Sequence, residues 1–294
     1  MSIQCLAFDL DGTLLRDGTK DMDPRTVSSI KKAMEKGIHI VIASGRDKNG
    51  CKFVYEPLGL DKGNHFLALV NGQIIYDFEK KEYDLDDILT DQDGIKIQQV
   101  CKQFGVEGIF QCGYDFYSYV SSLNRMKKKV KEAILGEPAD YGLKAGRENR
   151  NFIDLPYEEI HFEQDINKVI MVHSKKFFEK NLEDMKQALS DYDVVMVGED
   201  WMEIMPKHVS KASALWKICD RLGITMNEVM AFGDAQNDLK MLQQAGIGVA
   251  MGNAMDEAKY AATLVTDTNM NNGIGKVIDA LLEGKEMDLR KGLL

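Results

Sequence analysis

The chain of 294 residues lacks the features that mark several broad classes of protein. Its five cysteines (Cys5, Cys51, Cys101, Cys112, Cys219) are scattered, odd in number and form no CxxC pair. A disulfide framework is not expected, and each cysteine reads as a small buried apolar residue in a reducing compartment. The five histidines (His39, His65, His161, His173, His208) show no ligand spacing, which argues against zinc and against a histidine-based mechanism. No apolar run approaches a membrane span. The N-terminus runs from Ile3 straight to Asp9, without the basic region, apolar segment and small-residue cleavage site of a signal peptide, so a cytoplasmic location is expected. Positive charge is in deficit: 37 Lys and Arg against 47 Asp and Glu leave a formal net charge of −10. A general nucleic-acid binder would need a basic face. A phosphorylated small substrate stays compatible, because a local metal ion or lysine overrides the global sign. Internal repeats and low-complexity tracts are also missing.

What is present fits a soluble globular protein of two domains: 44% hydrophobic and 29% charged residues on a chain long enough to bury a sizeable core. Ile3–Phe8 predicts a strand. Asp23 as N-cap, Pro24 at the first helical position, and Val27, Ile30, Ala33 and Met34 at helical spacing predict a helix that stops at Gly37. The β-branched run 38–43 suits a parallel strand covered on both faces, completing a right-handed βαβ unit. A third buried run, Phe66–Val70, ends in the turn pair Asn71-Gly72, and Gln73–Tyr76 can return as a hairpin. From about Asp84 the texture becomes mixed, and residues 136–163 read as irregular. Strands are expected at Lys168–His173, Tyr192–Val197 and Trp201–Met205, the last two as a hairpin, with a helix at Phe177–Leu189. After Pro206 the parallel texture returns: a helix at Ser213–Leu222, strands at Val229–Phe232, Ile247–Met251 and Thr263–Val265, and a short helix at Leu239–Ala245. The simplest parse is one α/β core interrupted by an insert.

Four constellations sit where such a sheet places its ligands, at the carboxyl ends of strands. Asp9-Leu10-Asp11-Gly12-Thr13 offers two carboxylates two residues apart. One can attack phosphorus, and the other can give a proton to the leaving oxygen and take one from water. Ser44-Gly45-Arg46 offers a hydroxyl and amides for a phosphate oxygen. Lys211 offers a point charge for a phosphate and a carboxylate. Gly233-Asp234-Ala235-Gln236-Asn237-Asp238 offers hard oxygens for Mg²⁺. Each alone is an ordinary Asx-rich turn, helix cap or surface lysine. Together they supply every part of a phosphoryl-transfer site.

The sequence resembles the haloacid dehalogenase (HAD) superfamily of phosphohydrolases, and within it the Cof-type branch with a type IIB cap. The matching strings are Phe8-Asp9-Leu10-Asp11-Gly12-Thr13-Leu14-Leu15, Ala43-Ser44-Gly45-Arg46, Asn71-Gly72, Val209-Ser210-Lys211, Phe232-Gly233-Asp234 with Asn237-Asp238, and Ala250-Met251-Gly252-Asn253-Ala254. The resemblance implies an α/β fold: a Rossmann-like parallel-sheet core of residues 1–84 and 200–294, and an inserted α/β cap of residues 85–199 that sets substrate specificity. It implies Asp9 as nucleophile and Asp11 as general acid/base. Mg²⁺ would be held by the Asp9 and Asp234 carboxylates and the Asp11 main-chain carbonyl, with Asp238 behind them. Leu10, Ser44, Gly45, Lys211 and Asn237 would hold the phosphoryl group. Ala212 stands where the family usually has Gly, which allows a slightly shifted helix start.

The function this implies is a Mg²⁺-dependent phosphatase for small phosphate monoesters, sugar phosphates or phosphorylated cofactors, working through an aspartyl-phosphate, with no nucleic-acid or membrane partner. A phosphomutase of the phosphomannomutase type is the alternative enzyme. A receiver-like module phosphorylated without turnover is the alternative from another class, though Asp11 and the large insert argue against it. The basic run Arg125, Lys127, Lys128, Lys129 and Lys131 reads as a solvated helix face. Tyr117 and Tyr119 share one strand face, opposite Tyr114, and read as packing. The 16 methionines read as core filler.

Overall fold

The structure, a computed structural model, describes residues 2–113, 115–135, 152–158, 162, 165–197 and 199–285. Tyr114, His161 and most of the segment read as irregular lie outside the described residues, as do the side chains of Lys128 and Lys131. The chain forms two compact units, residues 1–86 with 209–294, and residues 87–208.

The first unit opens with β1 (Cys5–Phe8), α1 (Pro24–Glu35), β2 (His39–Ala43), α2 (Lys52–Leu58), β3 (Phe66–Leu69), β4 (Ile74–Asp77) and β5 (Glu82–Leu85). The second comprises α3 (Asp91–Phe104), β6 (Glu107–Cys112), β7 (Asp115–Val120), α4 (Ser122–Leu135), β8 (Phe152–Pro156), β9 (Lys168–Val172), α5 (Lys175–Ala188), β10 (Tyr192–Met196) and β11 (Trp201–Pro206). The chain then completes the first unit with α6 (Lys211–Leu222), β12 (Val229–Gly233), α7 (Leu239–Gln244), β13 (Ile247–Ala250), α8 (Asp256–Ala261), β14 (Leu264–Val265) and α9 (Gly273–Leu282).

The first unit is built on one sheet in the order β14-β13-β12-β1-β2-β3-β4-β5, parallel from β14 to β3 and antiparallel beyond. Its central strands read as unbroken apolar strings because both faces are covered. Leu6, Phe8, Ile40, Ile42, Met230 and Phe232 face one core with Ile30 of α1 and Ile278 of α9. Cys5, Ala7, Val41, Ala43 and Ala231 face the other with Ala214, Leu215 and Ile218 of α6. Phe8 and Phe232 stack at 5.0 Å in full burial. Truncating either to Ala would cost about 3–5 kcal/mol. The capping expected of α1 is present: the Asp23 side chain accepts from the Arg25 N–H at 2.9 Å, and Gly37 turns at φ +83°.

Register is what makes a site. Phe8 is level with Phe232 on one side and Ile42 on the other, and Ala43 is level with Ala68. The residues just past these strand ends, Asp9, Asp234 and Ser44, therefore emerge together where the strand order reverses about β1, the position at which open α/β sheets bind ligands.

The second unit holds the sheet β10-β11-β9-β6-β7-β8, with β7 and β8 parallel and the other pairs antiparallel. Two sequence expectations are corrected. Phe152–Pro156, within the segment read as irregular, is an edge strand. Its pairing to β7 supplies the order that five residues ending in Pro do not advertise. The hairpin β10–β11 joins β9, so the chain returns to the first unit at Val209 rather than at residue 200. Tyr119 is fully buried and Tyr117 packs on the same core, as expected of packing residues. Lys127 and Lys129 are exposed. All five cysteines are buried and free. Among the described residues no helix is long and apolar enough to cross a membrane.

Two histidines are structural. His39 Nδ1 lies 2.8 Å from the Asn64 carbonyl, and the Ile40 N–H donates to His65 Nδ1 at 3.1 Å. Burial, reinforced by His39, pushes the His65 pKa down to about 4. A depressed folded-state value means that the unfolded chain binds the proton more readily. The contribution of neutral His65 is therefore complete above about pH 6.5 and is lost as pH falls through about 4. After allowance for partial solvent screening this amounts to roughly 1–2 kcal/mol. Thermal unfolding followed from pH 7 to pH 4 should fall less steeply for His65→Asn, which keeps an acceptor and cannot protonate, than for the wild type.

Candidate active site

Asp9 follows β1 directly and is 6% exposed. The chain then makes a five-residue turn, Leu10–Leu14, closed by Leu14 N–H to the Asp9 carbonyl at 3.3 Å and Leu15 N–H to the Leu10 carbonyl at 2.9 Å. Gly12 takes φ +81° at its centre, and a Cβ there would lie 2.4 Å from Asp234 Oδ2. Glycine is thus required twice, for conformation and for the close approach of a carboxylate. Leu10 buries its side chain in the core beneath this turn.

Lys211 is the first residue of α6, and its side chain is fully buried. Ser210 caps the helix, accepting from the Ser213 N–H at 3.1 Å, while Ser213 Oγ accepts from the Ser210 N–H at 2.9 Å. Ala212 is buried within the first turn, so the helix starts in register with Lys211 without the glycine usual there. The neighbouring loop allows the approach. Gly72 has φ +100°, and a Cβ there would lie 2.1 Å from the Ser210 carbonyl oxygen.

The Lys211 Nζ donates to Asp9 Oδ1 at 2.5 Å and to Asp238 Oδ1 at 2.7 Å. The other Asp238 oxygen accepts from the Asp234 and Ala235 N–H groups at 3.0 and 3.1 Å. Asp234 is oriented by Thr13, whose hydroxyl donates to Oδ1 at 2.5 Å. Asn237 donates from Nδ2 to Asn71 Oδ1 at 3.1 Å, which ties the turn after β12 to the turn after β3. Ser44 is buried, and its Oγ accepts from the Arg46 N–H at 3.2 Å. Gly45 lies against Asn71, where a Cβ would be 3.2 Å from Oδ1. Asp11 points outward and is clasped by Arg46, which donates from Nε at 2.9 Å and from Nη2 at 2.6 Å. The sequence named Asp9, Leu10, Asp11, Ser44, Gly45, Lys211, Asp234, Asn237 and Asp238, and all lie in this first unit. It gave no role to Thr13, Asn71 or the Arg46 clasp. Thr13 and Arg46 stood inside the quoted strings, but their partners are 221 and 35 residues away in sequence.

The charges do not balance. Burial first, then repulsion by Asp238 and Asp234, pushes the Asp9 carboxyl well above the usual carboxylate range against the pull of Lys211. Burial likewise pushes Asp234 up to about 6, against the Thr13 hydrogen bond. Burial alone would lower the lysine, but Asp238 and Asp9 together hold it above its ordinary value. The 2.5 and 2.7 Å contacts are those of charge-assisted pairs, which favours an ammonium between carboxylates.

Asp9, Asp234 and Asp238 each bring a carboxylate oxygen within 4.8 Å of the other two. Hard oxygens at this spacing suit a divalent cation. Two of the three fit the role of direct ligand. Asp9 and Asp234 each have one oxygen engaged, by Lys211 and Thr13, whereas Asp238 has committed both. Removing Lys211 would leave two buried carboxylates facing each other. Lys211→Met should destabilise the cation-free protein by about 3–5 kcal/mol at neutral pH, measured by urea unfolding. The loss should shrink as the pH is lowered.

A family model for haloacid dehalogenase-like hydrolases matches residues 6–278 of the chain. The chain is 29% identical over 281 residues to the 5-amino-6-(5-phospho-D-ribitylamino)uracil phosphatase YcsE of Bacillus subtilis, covering 95% of each sequence. Among solved structures, the phosphatase BT1666 from Bacteroides thetaiotaomicron superposes with a TM-score of 0.75 at 23% identity, over 95% of each chain. The HAD subclass IIB sugar phosphatase BT4131 superposes with a TM-score of 0.73 at 23% identity, over 94% of this chain and 98% of the other.

Proposed function

The chain belongs to the haloacid dehalogenase-like hydrolases and is a phosphoric monoester hydrolase; from that premise we propose that it is a Mg²⁺-dependent phosphatase of small phosphate monoesters that works through an aspartyl-phosphate on Asp9. The observation that carries this reading is the buried bridge of Lys211 between Asp9 and Asp238, with Asp234 alongside. It pairs one fixed cation with an excess of carboxylates, an arrangement that needs a further positive charge before a phosphate dianion can enter. Repulsion between two unit charges at about 4 Å is roughly 4 kcal/mol at an effective dielectric near 20.

The Asp9 and Asp234 carboxylates and the Asp11 main-chain carbonyl would hold the ion, and Asp238 would fix Lys211 and the Asp234 amide behind them. When bound, the ion offsets the carboxylates and polarises a phosphoryl oxygen. Lys211, Ser44, Asn237 and the Leu10 and Gly45 amides would grip the phosphoryl oxygens. The Asp9 oxygen that does not hold the ion attacks phosphorus, and the P–O bond to the alcohol breaks. The departing oxygen takes the Asp11 proton. Asp11, now a base, takes a proton from water. That water attacks phosphorus and displaces Asp9, releasing orthophosphate. Asp11 has to leave Arg46 to do this, and an exposed pair of this kind holds it by only about 1 kcal/mol.

The charge of the site supports a class of substrate. A site with one buried ammonium and one cation place accepts a single phosphate dianion. The ribityl phosphate in the relative's name falls in the class of sugar phosphates and phosphorylated cofactors. The same reading assigns discrimination among substrates to the inserted unit, residues 87–208.

Phosphate release from a metabolite panel should require Mg²⁺, stop with EDTA, and need no bisphosphate activator. Asp9→Asn should abolish turnover while its circular dichroism and unfolding midpoint stay near wild type. In acid-quenched reactions, radiolabel from substrate should appear on the wild-type chain and be missing from Asp9→Asn. Activity retained in pure Asp9→Asn would refute the nucleophile, and a bisphosphate requirement would favour a mutase.

A further inference from the structure

The loop after β13, residues 251–255, has no part in the chemistry above, yet it touches both acidic turns. Asn253 donates from Nδ2 to the Gly12 carbonyl at 2.7 Å. On either side of it, the Met251 N–H donates to the Gly233 carbonyl at 3.1 Å and the Met255 N–H donates to the Asp234 carbonyl at 3.0 Å. Asn253 is held in turn, because its Oδ1 accepts from the Asn269 N–H at 3.0 Å. Buried Asn269 donates from Nδ2 to the Leu15 carbonyl at 2.8 Å. One loop thus straps the turn that follows Asp9 to the turn that carries Asp234.

Gly12 is where such a strap is needed. It sits at φ +81° and has no Cβ to discourage other conformations. The Asp11 carbonyl precedes it. Thr13, which orients Asp234 through a 2.5 Å hydrogen bond, follows it. Anchoring the Gly12 carbonyl fixes the peptide plane between Gly12 and Thr13, and so the position from which Thr13 reaches Asp234.

We propose that Asn253 is a positioning residue for the divalent cation: by locking the Gly12–Thr13 peptide it sets the spacing of Asp9 and Asp234, without touching cation or substrate. The proposal rests on the reading that those two carboxylates hold the ion. Outer partners of metal ligands cost 10–100-fold in affinity when removed.

The test is titration calorimetry of substrate-free protein with Mg²⁺ and with Mn²⁺, beside thermal unfolding. Asn253→Asp keeps the acceptor for Asn269 and loses the donor to Gly12. Its added negative charge would by itself tighten cation binding. A roughly tenfold or greater weakening in Asn253→Asp, with a near wild-type unfolding midpoint and a similar loss in Asn253→Ala, is the expected result. Wild-type affinity in Asn253→Ala, which adds no charge, would overturn the proposal, as would failure of Asn253→Asp to fold, which would make the residue structural. Asp9→Asn and Asp234→Asn separate the two levels. If they abolish binding while Asn253→Ala does not weaken it, only the strap fails. If they leave binding intact, the cation reading fails and takes the strap with it.

Discussion

One buried ammonium organises the first unit. The Lys211 side chain has no exposure, and a charge so placed is tolerable only with carboxylates at contact distance. Asp9 and Asp238 meet that need, and the requirement reaches outward into the fold. α6 has to begin at Lys211, so Ser210 has to cap it. The chain after β3 has to pass close to Ser210, so residue 72 has to be glycine. Asp238 has to reach back to the Lys211 Nζ while its other oxygen closes the turn after Gly233. The nucleophile candidate is thereby positioned by the same contacts that make the lysine affordable.

The parallel sheet was legible because its strands are buried on both faces. Strings such as Leu6-Ala7-Phe8, Ile40-Val41-Ile42 and Met230-Ala231-Phe232 have few other readings in a chain of this composition. Their carboxyl ends were legible for the same reason, and with them Asp9, Ser44 and Asp234. The side-chain ties among these ends were not. Thr13 to Asp234, Asn237 to Asn71 and Asn253 to Gly12 join residues more than 160 positions apart, and each residue type is also an ordinary turn former. Pairwise tertiary contacts of this kind leave no periodicity in a single sequence.

The inserted unit was less legible, for a related reason. Its sheet is mostly antiparallel, and polar residues interrupt its otherwise apolar strands. β9 and β11 could be read as strands, but the buried ion pair of Lys168 and Glu203 that joins them could not. β8 owes its existence to pairing with β7, across a connection far longer than a hairpin. The hairpin β10–β11 could be recognised as a hairpin, but nothing local says which sheet it extends. That is why the junction lies at Val209, nine residues after the expected boundary at residue 200.

The strand order also has a consequence for biosynthesis. β1 is a central strand, yet its partner on one side, β12, is made more than two hundred residues later. Until then the emerging polypeptide carries Leu6-Ala7-Phe8 with one row of amides and carbonyls unsatisfied and one apolar flank uncovered. A ribosome stalled within the insert would display an adhesive edge at the heart of an unfinished domain.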